Sequence, residues 1–168
     1  MRRFTIIAAA VTAAFVLGSM VPVASQPPGN RTTIELFEPN RGGYERFINE
    51  GRKRGLTPGD TILFRTSELD PETCEKVGNL WGRIQIIKVR GEQDAVFAGE
   101  FTVFLEDGKI TAGGVGRFSQ FENPDVPIFA VTGGTGAYKD ASGDVTILED
   151  QECGDIRGGI TRLDLSLD

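Results

Sequence analysis

From residue 32 onwards, short runs of alternating apolar and polar residues recur, each closed by glycine, proline or aspartate. Such runs read as β-strands, because successive side chains of an extended backbone point to opposite faces. Eight stand out: Thr32–Phe37, Asp60–Leu69, Leu80–Arg90, Ala95–Glu106, Lys109–Phe118, Val126–Thr132, Gly143–Glu149 and Ile156–Leu167. Asp107-Gly108, between the fourth and the fifth, is a strong hairpin signal. Strands of this length and spacing predict an all-β barrel or sandwich. Arg41–Gly55 breaks the pattern and reads as a helical turn or a flexible loop.

The two faces of each run say more. On Ala95–Glu106 one face carries Phe97, Gly99, Phe101, Val103 and Leu105, and the other carries Val96, Ala98, Thr102 and Phe104 between glutamates. A lone barrel needs only an apolar inside, so part of the outer wall is expected to be covered, by a neighbouring subunit or by the N-terminal segment. On Leu80–Arg90 the pattern leaves two interiors open. Either Trp81, Arg83, Gln85 and Ile87 face inward, or Gly82, Ile84 and Ile86 do. Of the strand arginines Arg65, Arg83, Arg117, Arg157 and Arg162, an inward one could clamp a ligand carboxylate and an outward one would pair with surface acids.

The glycine-rich stretch AVTGGTGAYKDASGDVTI (residues 130–147) does not spell a phosphate-binding loop. That loop needs GxxxxGK[ST] opening a helix after a parallel strand. Here Lys139 is misplaced, and the chain returns to strand at Gly143. The glycines instead supply a tight corner at a barrel rim.

Ahead of the strands, Arg2 and Arg3 precede an apolar run from Phe4 to Val23, followed by small residues at Val23-Ala24-Ser25. This describes a secretory leader, residues 1–25, cleaved after Ser25. The alternative is a membrane anchor, since the run approaches a bilayer-spanning length. Residues 26–168 then form one domain. Cleavage takes the net charge from −6 to −8, a balance that argues against nucleic acid as a partner.

Histidine is absent, which excludes Ser-His-Asp and Cys-His nucleophile systems and most zinc sites. No cofactor or metal motif appears. In an exported chain Cys74 and Cys153 are a candidate disulfide. Five strands separate them, however, which in an up-and-down barrel puts their loops at opposite rims. The residues ahead of Gly82 are long enough, if extended, to climb the wall.

The run FAVTGGTGAYKDASGDVTI resembles the signature of the allene oxide cyclase barrel, a fold shared with dirigent proteins. GDTILFRTSEL, EKVGNLWGRIQIIKV, AVFAGEFTVFLEDGKI and GRFSQFEN follow in the same order and spacing, so that the resemblance covers residues 32–165. It implies an eight-stranded antiparallel up-and-down β-barrel, often trimeric, with an apolar cavity and no cofactor. In the plant cyclases a glutamate and an asparagine, two apart after the first strand, assist epoxide opening and hold a water. Glu38 and Asn40 of ELFEPN match them. Read on its own, the same stretch is a solvated Glu-Pro-Asn turn.

At the family's other pocket positions this chain carries Thr66 for an asparagine, Ile84 for a cysteine and Phe118 for a tyrosine. With Phe64, these are the residues expected to bind substrate. The polar set is thinner than in the plant enzymes, so another substrate is expected. Three functions remain open. One is a secreted, cofactor-independent isomerase or cyclase of a lipid- or polyketide-like molecule. The second is a dirigent-like carrier of hydrophobic small molecules. The third is a structural barrel filled by its own side chains.

Overall fold

The computed structural model describes residues 30–48, 55–90, 94–121, 123 and 126–167. The expected leader, residues 1–25, lies outside them. The strands are β1 (Asn30–Pro39), β2 (Tyr44–Ile48), β3 (Thr61–Leu69), β4 (Lys76–Arg90), β5 (Asp94–Leu105), β6 (Gly108–Arg117), β7 (Phe129–Gly136), β8 (Ser142–Cys153) and β9 (Ile156–Leu167), with one 3-10 turn at Phe118–Gln120. All pairings are antiparallel between neighbours from β2 to β9. The sheet closes where β9 pairs with β1 and Phe37 of β1 meets Leu69 of β3. The result is a closed eight-stranded barrel with β2 as an extra strand outside it.

β2 corrects the reading of Arg41–Gly55. Tyr44–Ile48 is neither helical nor a loop but a strand paired with Thr61–Arg65 of β3. β1 and β2 both run antiparallel to β3. After Pro39 the chain leaves β9, turns through Asn40–Gly43 and continues along the free edge of β3. All five residues of β2 are exposed, so no alternation of burial marks it in the sequence.

Alternation fixes the lumen. Phe97, Phe101 and Val103 of β5 are buried together with Leu80 and Ile86 of β4, Ile110 and Ala112 of β6, Phe129 and Val131 of β7, and Leu163 and Leu165 of β9. The open question on β4 resolves in favour of Gly82, Ile84 and Ile86. Trp81 is half exposed, with Arg65 stacked over its ring 5.2 Å from the centroid, and Arg83 pairs with Glu100 on the outer wall at 2.9 Å.

A second, smaller core lies on the outer side of the wall. Phe37 and Leu69, both outward by alternation, are buried with Cys153 and flanked by Cys74 and Ile160. Here the cover is the chain itself. The register of β8 slips between Leu148 and Gln151, and Asp150 takes a left-handed φ of 56°. Such a bulge bends a strand, and the end of the β8–β9 hairpin meets the turn after β3. There Cys74 and Cys153 are joined, their Cα atoms 5.7 Å apart. Counting strands set these loops at opposite rims because it ignored both the bulge and the stagger of strands that closes a barrel.

The glycine corner also differs from expectation. Gly133–Gly136 belong to β7, which begins at Phe129 rather than Val126, and the reversal falls on Ala137–Asp140. The ladder with β6 slips between Thr111 and Ala112, and Gly136 has a φ of 65°. The glycines shape the last turn of the strand, where a Cβ on Gly136 would strike the Asp107 carbonyl of the neighbouring hairpin.

Candidate functional site

Inside the barrel two regions lie side by side. On the β5–β7 side phenyl rings fill the lumen. Phe101 and Phe129 meet edge to face with centroids 5.4 Å apart, and Phe97 contacts Phe118, Phe121 and Phe129 at 5.1–5.9 Å. Rings at these offsets attract beyond their burial. An open apolar lumen was expected from the resemblance; on this side it is occupied by the chain's own rings.

Between β1, β3 and β8 a cavity of about 280 Å3 opens at the mouth, lined by Glu38, Asn40, Phe64, Thr66, Ile147 and Glu149, with Tyr44 and Glu45 of β2 on its edge. Four of the six expected site residues therefore meet there: Glu38, Asn40, Phe64 and Thr66. The other two do not. Ile84 packs in the core, and Phe118 stacks on Phe97 and Phe121 at the start of the 3-10 turn. Asn40 donates its backbone N–H to the Arg157 carbonyl at 2.9 Å, which pins the chain where β1 ends. The Glu-Pro-Asn segment thus forms part of the cavity wall, with Asn40 in an exposed bend just past β1.

Phe64 forms the border between the two regions. It faces Gly82 across the β3–β4 pair, and a Cβ there would fall on its ring. Glycine at 82 leaves room for the tip of the ring against the wall.

Behind Glu38 stands a residue the sequence reading missed. Glu68 is fully buried, and neither carboxyl oxygen has a hydrogen-bond partner among the described residues. Burial, and then the charge on Glu38, push its pKa up to about 9. Burial alone lifts Glu38 to about 6. Desolvation disfavours the charged form of both, and two carboxyls close together cannot both ionise cheaply. Near neutral pH Glu68 keeps its proton while Glu38 is largely ionised, which places an acid beside a base. The clue was available, since Glu68 follows Phe64 and Thr66 at spacing two and so shares their inner face. Among the described residues no group of three or more His, Cys, Asp or Glu side chains is placed to hold a metal ion.

A closed eight-stranded antiparallel barrel with one further strand outside it defines a class of fold. Within that class the profile of the allene oxide cyclase barrel like domain matches residues 49–154. The chain belongs to that family. No curated protein sequence matches it. Among solved structures it is similar to a pyocyanin demethylase, at 22% identity and a TM-score of 0.62 over 80% of this chain and 100% of the other. It is similar to the Diels-Alderase AbmU from Streptomyces koyangensis, at 18% identity and a TM-score of 0.58 over 82% of this chain and 63% of that one. It also resembles the pterocarpan synthase dirigent protein PsPTS1, at 15% identity and a TM-score of 0.59, covering 83% of this chain and 96% of that one. At these identities the likeness is one of fold.

Proposed function

We propose that the protein is an exported, cofactor-independent isomerase or cyclase of a small hydrophobic molecule, acting at the mouth cavity. The observation that carries this is Glu38, a largely buried carboxyl on the cavity wall next to Phe64 and Thr66, whose charge is felt by the fully buried Glu68. Glu68 is sealed behind Glu38 and keeps its proton, which leaves Glu38 as the carboxyl that meets substrate. Glu38 stabilises the positive charge that develops, or removes a proton from an adjacent carbon. Glu38 returns the proton it removed to another atom of the same molecule, so the product has the composition of the substrate. Asn40 and Thr66 orient the polar end, and the flat ring of Phe64 supports the apolar part. Confining a flexible chain in this space lowers the barrier by positioning.

Neighbours that are a Diels-Alderase, a demethylase and a dirigent protein support small-molecule chemistry in this fold and leave the substrate open. The Cys74–Cys153 bond suits the oxidising compartment that residues 1–25 would reach as a leader. In this reading a homotrimer would use the outer wall, where Trp81, Ile87 and Val115 stand exposed.

The test begins with native mass spectrometry of protein from its own producer, which reports subunit number and any retained molecule. That molecule is then offered to the wild type and to Glu38→Gln. The expected result is turnover slowed by roughly 100-fold or more with binding retained. Unchanged turnover removes Glu38 from the mechanism, and saturable binding with no product from either protein makes the barrel a dirigent-like carrier.

A further inference from the structure

Inward glycines give the lumen rings their seats. On β4, β5 and β6 a Cβ at Gly82, Gly99 or Gly116 would strike the ring of Phe64, Phe129 or Phe97, respectively. Without that atom a ring can press against the strand backbone. Phe97 and Phe129 are buried, and their rings contact each other. Phe64 sits on glycine in the same way and packs on the same core, yet it is only partly buried and lines the mouth cavity with Thr66 and Ile147.

What lies beyond Phe64 is already full. Its seat, Gly82, is the cross-strand partner of Phe101, which is buried edge to face on Phe129. The open part of the lumen thus ends at Phe64. A long chain running down the barrel would have to displace this ring and then the Phe101–Phe129 pair, and interiors packed like this do not yield such space cheaply. The cavity that remains, about 280 Å3, is at the lower end of ligand sites and suits a compact guest.

Resting on the small-molecule reading above, we propose that Gly82 and Phe64 together set the depth of the mouth cavity, and so restrict the substrate to a compact molecule rather than a long chain. Phe64 is the floor that the guest meets. Gly82 touches no guest and acts through Phe64, because the tip of the ring occupies the place of the missing Cβ. A methyl at 82 pushes the ring into the cavity and makes it shallower. Loss of the ring at 64 makes it deeper.

The primary alcohols from 1-butanol to 1-nonanol measure this depth one methylene at a time. Each is titrated into 15N-labelled full-length protein, and affinity is read from the amide shifts of Glu38, Thr66 and Glu149 at the cavity. In the wild type each added methylene should tighten binding roughly threefold to fourfold until the chain meets Phe64, and should add nothing beyond that length. Phe64→Ala should move this limit to chains longer by about two methylenes or more, and Gly82→Ala should move it to chains shorter by about one. The double variant should match Phe64→Ala, since the new methyl then has no ring to push. A general loss of stability would not move the limit in opposite directions. If Phe64→Ala does not fold, Phe64→Leu takes its place, with a smaller move in the same direction.

A limit at the same length in the wild type and the Phe64 variant overturns the assignment and leaves the mouth cavity in place. Affinity that climbs through 1-nonanol in the wild type does the same, and so does an unchanged limit in Gly82→Ala. Absence of mouth shifts with every alcohol overturns both this assignment and the small-molecule reading.

Discussion

The two sides of the lumen solve the same problem in opposite ways. On the β5–β7 side Phe97, Phe101, Phe118, Phe121 and Phe129 fill the space with surface that gains from leaving water. On the β1–β3–β8 side a similar depth holds Glu38 and Glu68, which lose from it. Folding explains the first side by itself. It does not explain the second, since an apolar residue of Glu68's volume would cost less. The difference separates what holds the barrel together from what the barrel is for.

If that division is right, truncating the aromatic side should destabilise without touching mouth chemistry. Phe97 is fully buried against three other rings. Phe97→Ala should cost roughly 3–5 kcal/mol in urea denaturation, with the backbone amide shifts of Glu38, Phe64 and Thr66 kept in the fraction that folds. A change of those shifts at equal folded fraction would join the two sides into one site.

The covalent tie ranks next. Cys74–Cys153 closes a loop spanning 79 residues over the satellite core of Phe37 and Leu69. The double variant Cys74→Ser, Cys153→Ser should lose about 2–4 kcal/mol. Because Glu38 follows Phe37 directly, amide exchange at Glu38 should also quicken. Protection unchanged at Glu38 would show that the satellite core braces the wall but not the mouth.

How much of this was readable beforehand follows the same division. The eight barrel strands, the inner face of β5 and the pairing of Glu38 with Asn40 came from alternation and from a resemblance. Both are properties of extended chain packed on one side. β2 escaped because a fully exposed five-residue strand buries nothing and so imposes no pattern. The Cys74–Cys153 junction escaped because bulges and stagger are not written in residue types. Glu68 escaped for a different reason: a glutamate in a strand is ordinarily read as an outward residue. Its spacing of two from Thr66 and four from Phe64 nonetheless places it on their inward face. Ile84 and Phe118 were transferred from family positions, and the space those positions face is here filled by neighbouring rings.

Glu68 itself gives a smaller effect with a diagnostic shape. Its pKa is about 9 in the folded protein against 4.5 for the free group. A carboxyl raised on folding holds its proton more tightly in the native state, so its contribution favours the fold at low pH and is lost as pH rises. The slope is at most about 1.4 kcal/mol per pH unit between the two values. Water entering the cavity will reduce the total to roughly 1–3 kcal/mol. Wild type should therefore lose stability from about pH 5 to 9, and Glu68→Gln should flatten that decline and be the more stable protein at pH 8. Parallel curves for the two proteins would mean that Glu68 is solvated and does not hold its proton at neutral pH.

The smallest effect is expected from a glutamate only three residues before Glu38. Glu35 points to the outer wall, where the Arg162 Nε donates to its Oε1 at 2.8 Å and Nη2 lies 2.7 Å from the same oxygen. Two nitrogens of one arginine thus meet one oxygen of Glu35, whereas Glu68 has no hydrogen-bond partner among the described residues. Yet both members of the outer pair are more than one-third exposed, so water and salt already solvate them. The loss on Arg162→Ala should be less than about 1 kcal/mol, shrink further in 0.5 M salt and leave the amide shifts of Phe64 and Thr66 at the mouth unchanged. Should it instead be as large as that of Phe97→Ala, or move those shifts, the outer wall would be coupled to the lumen.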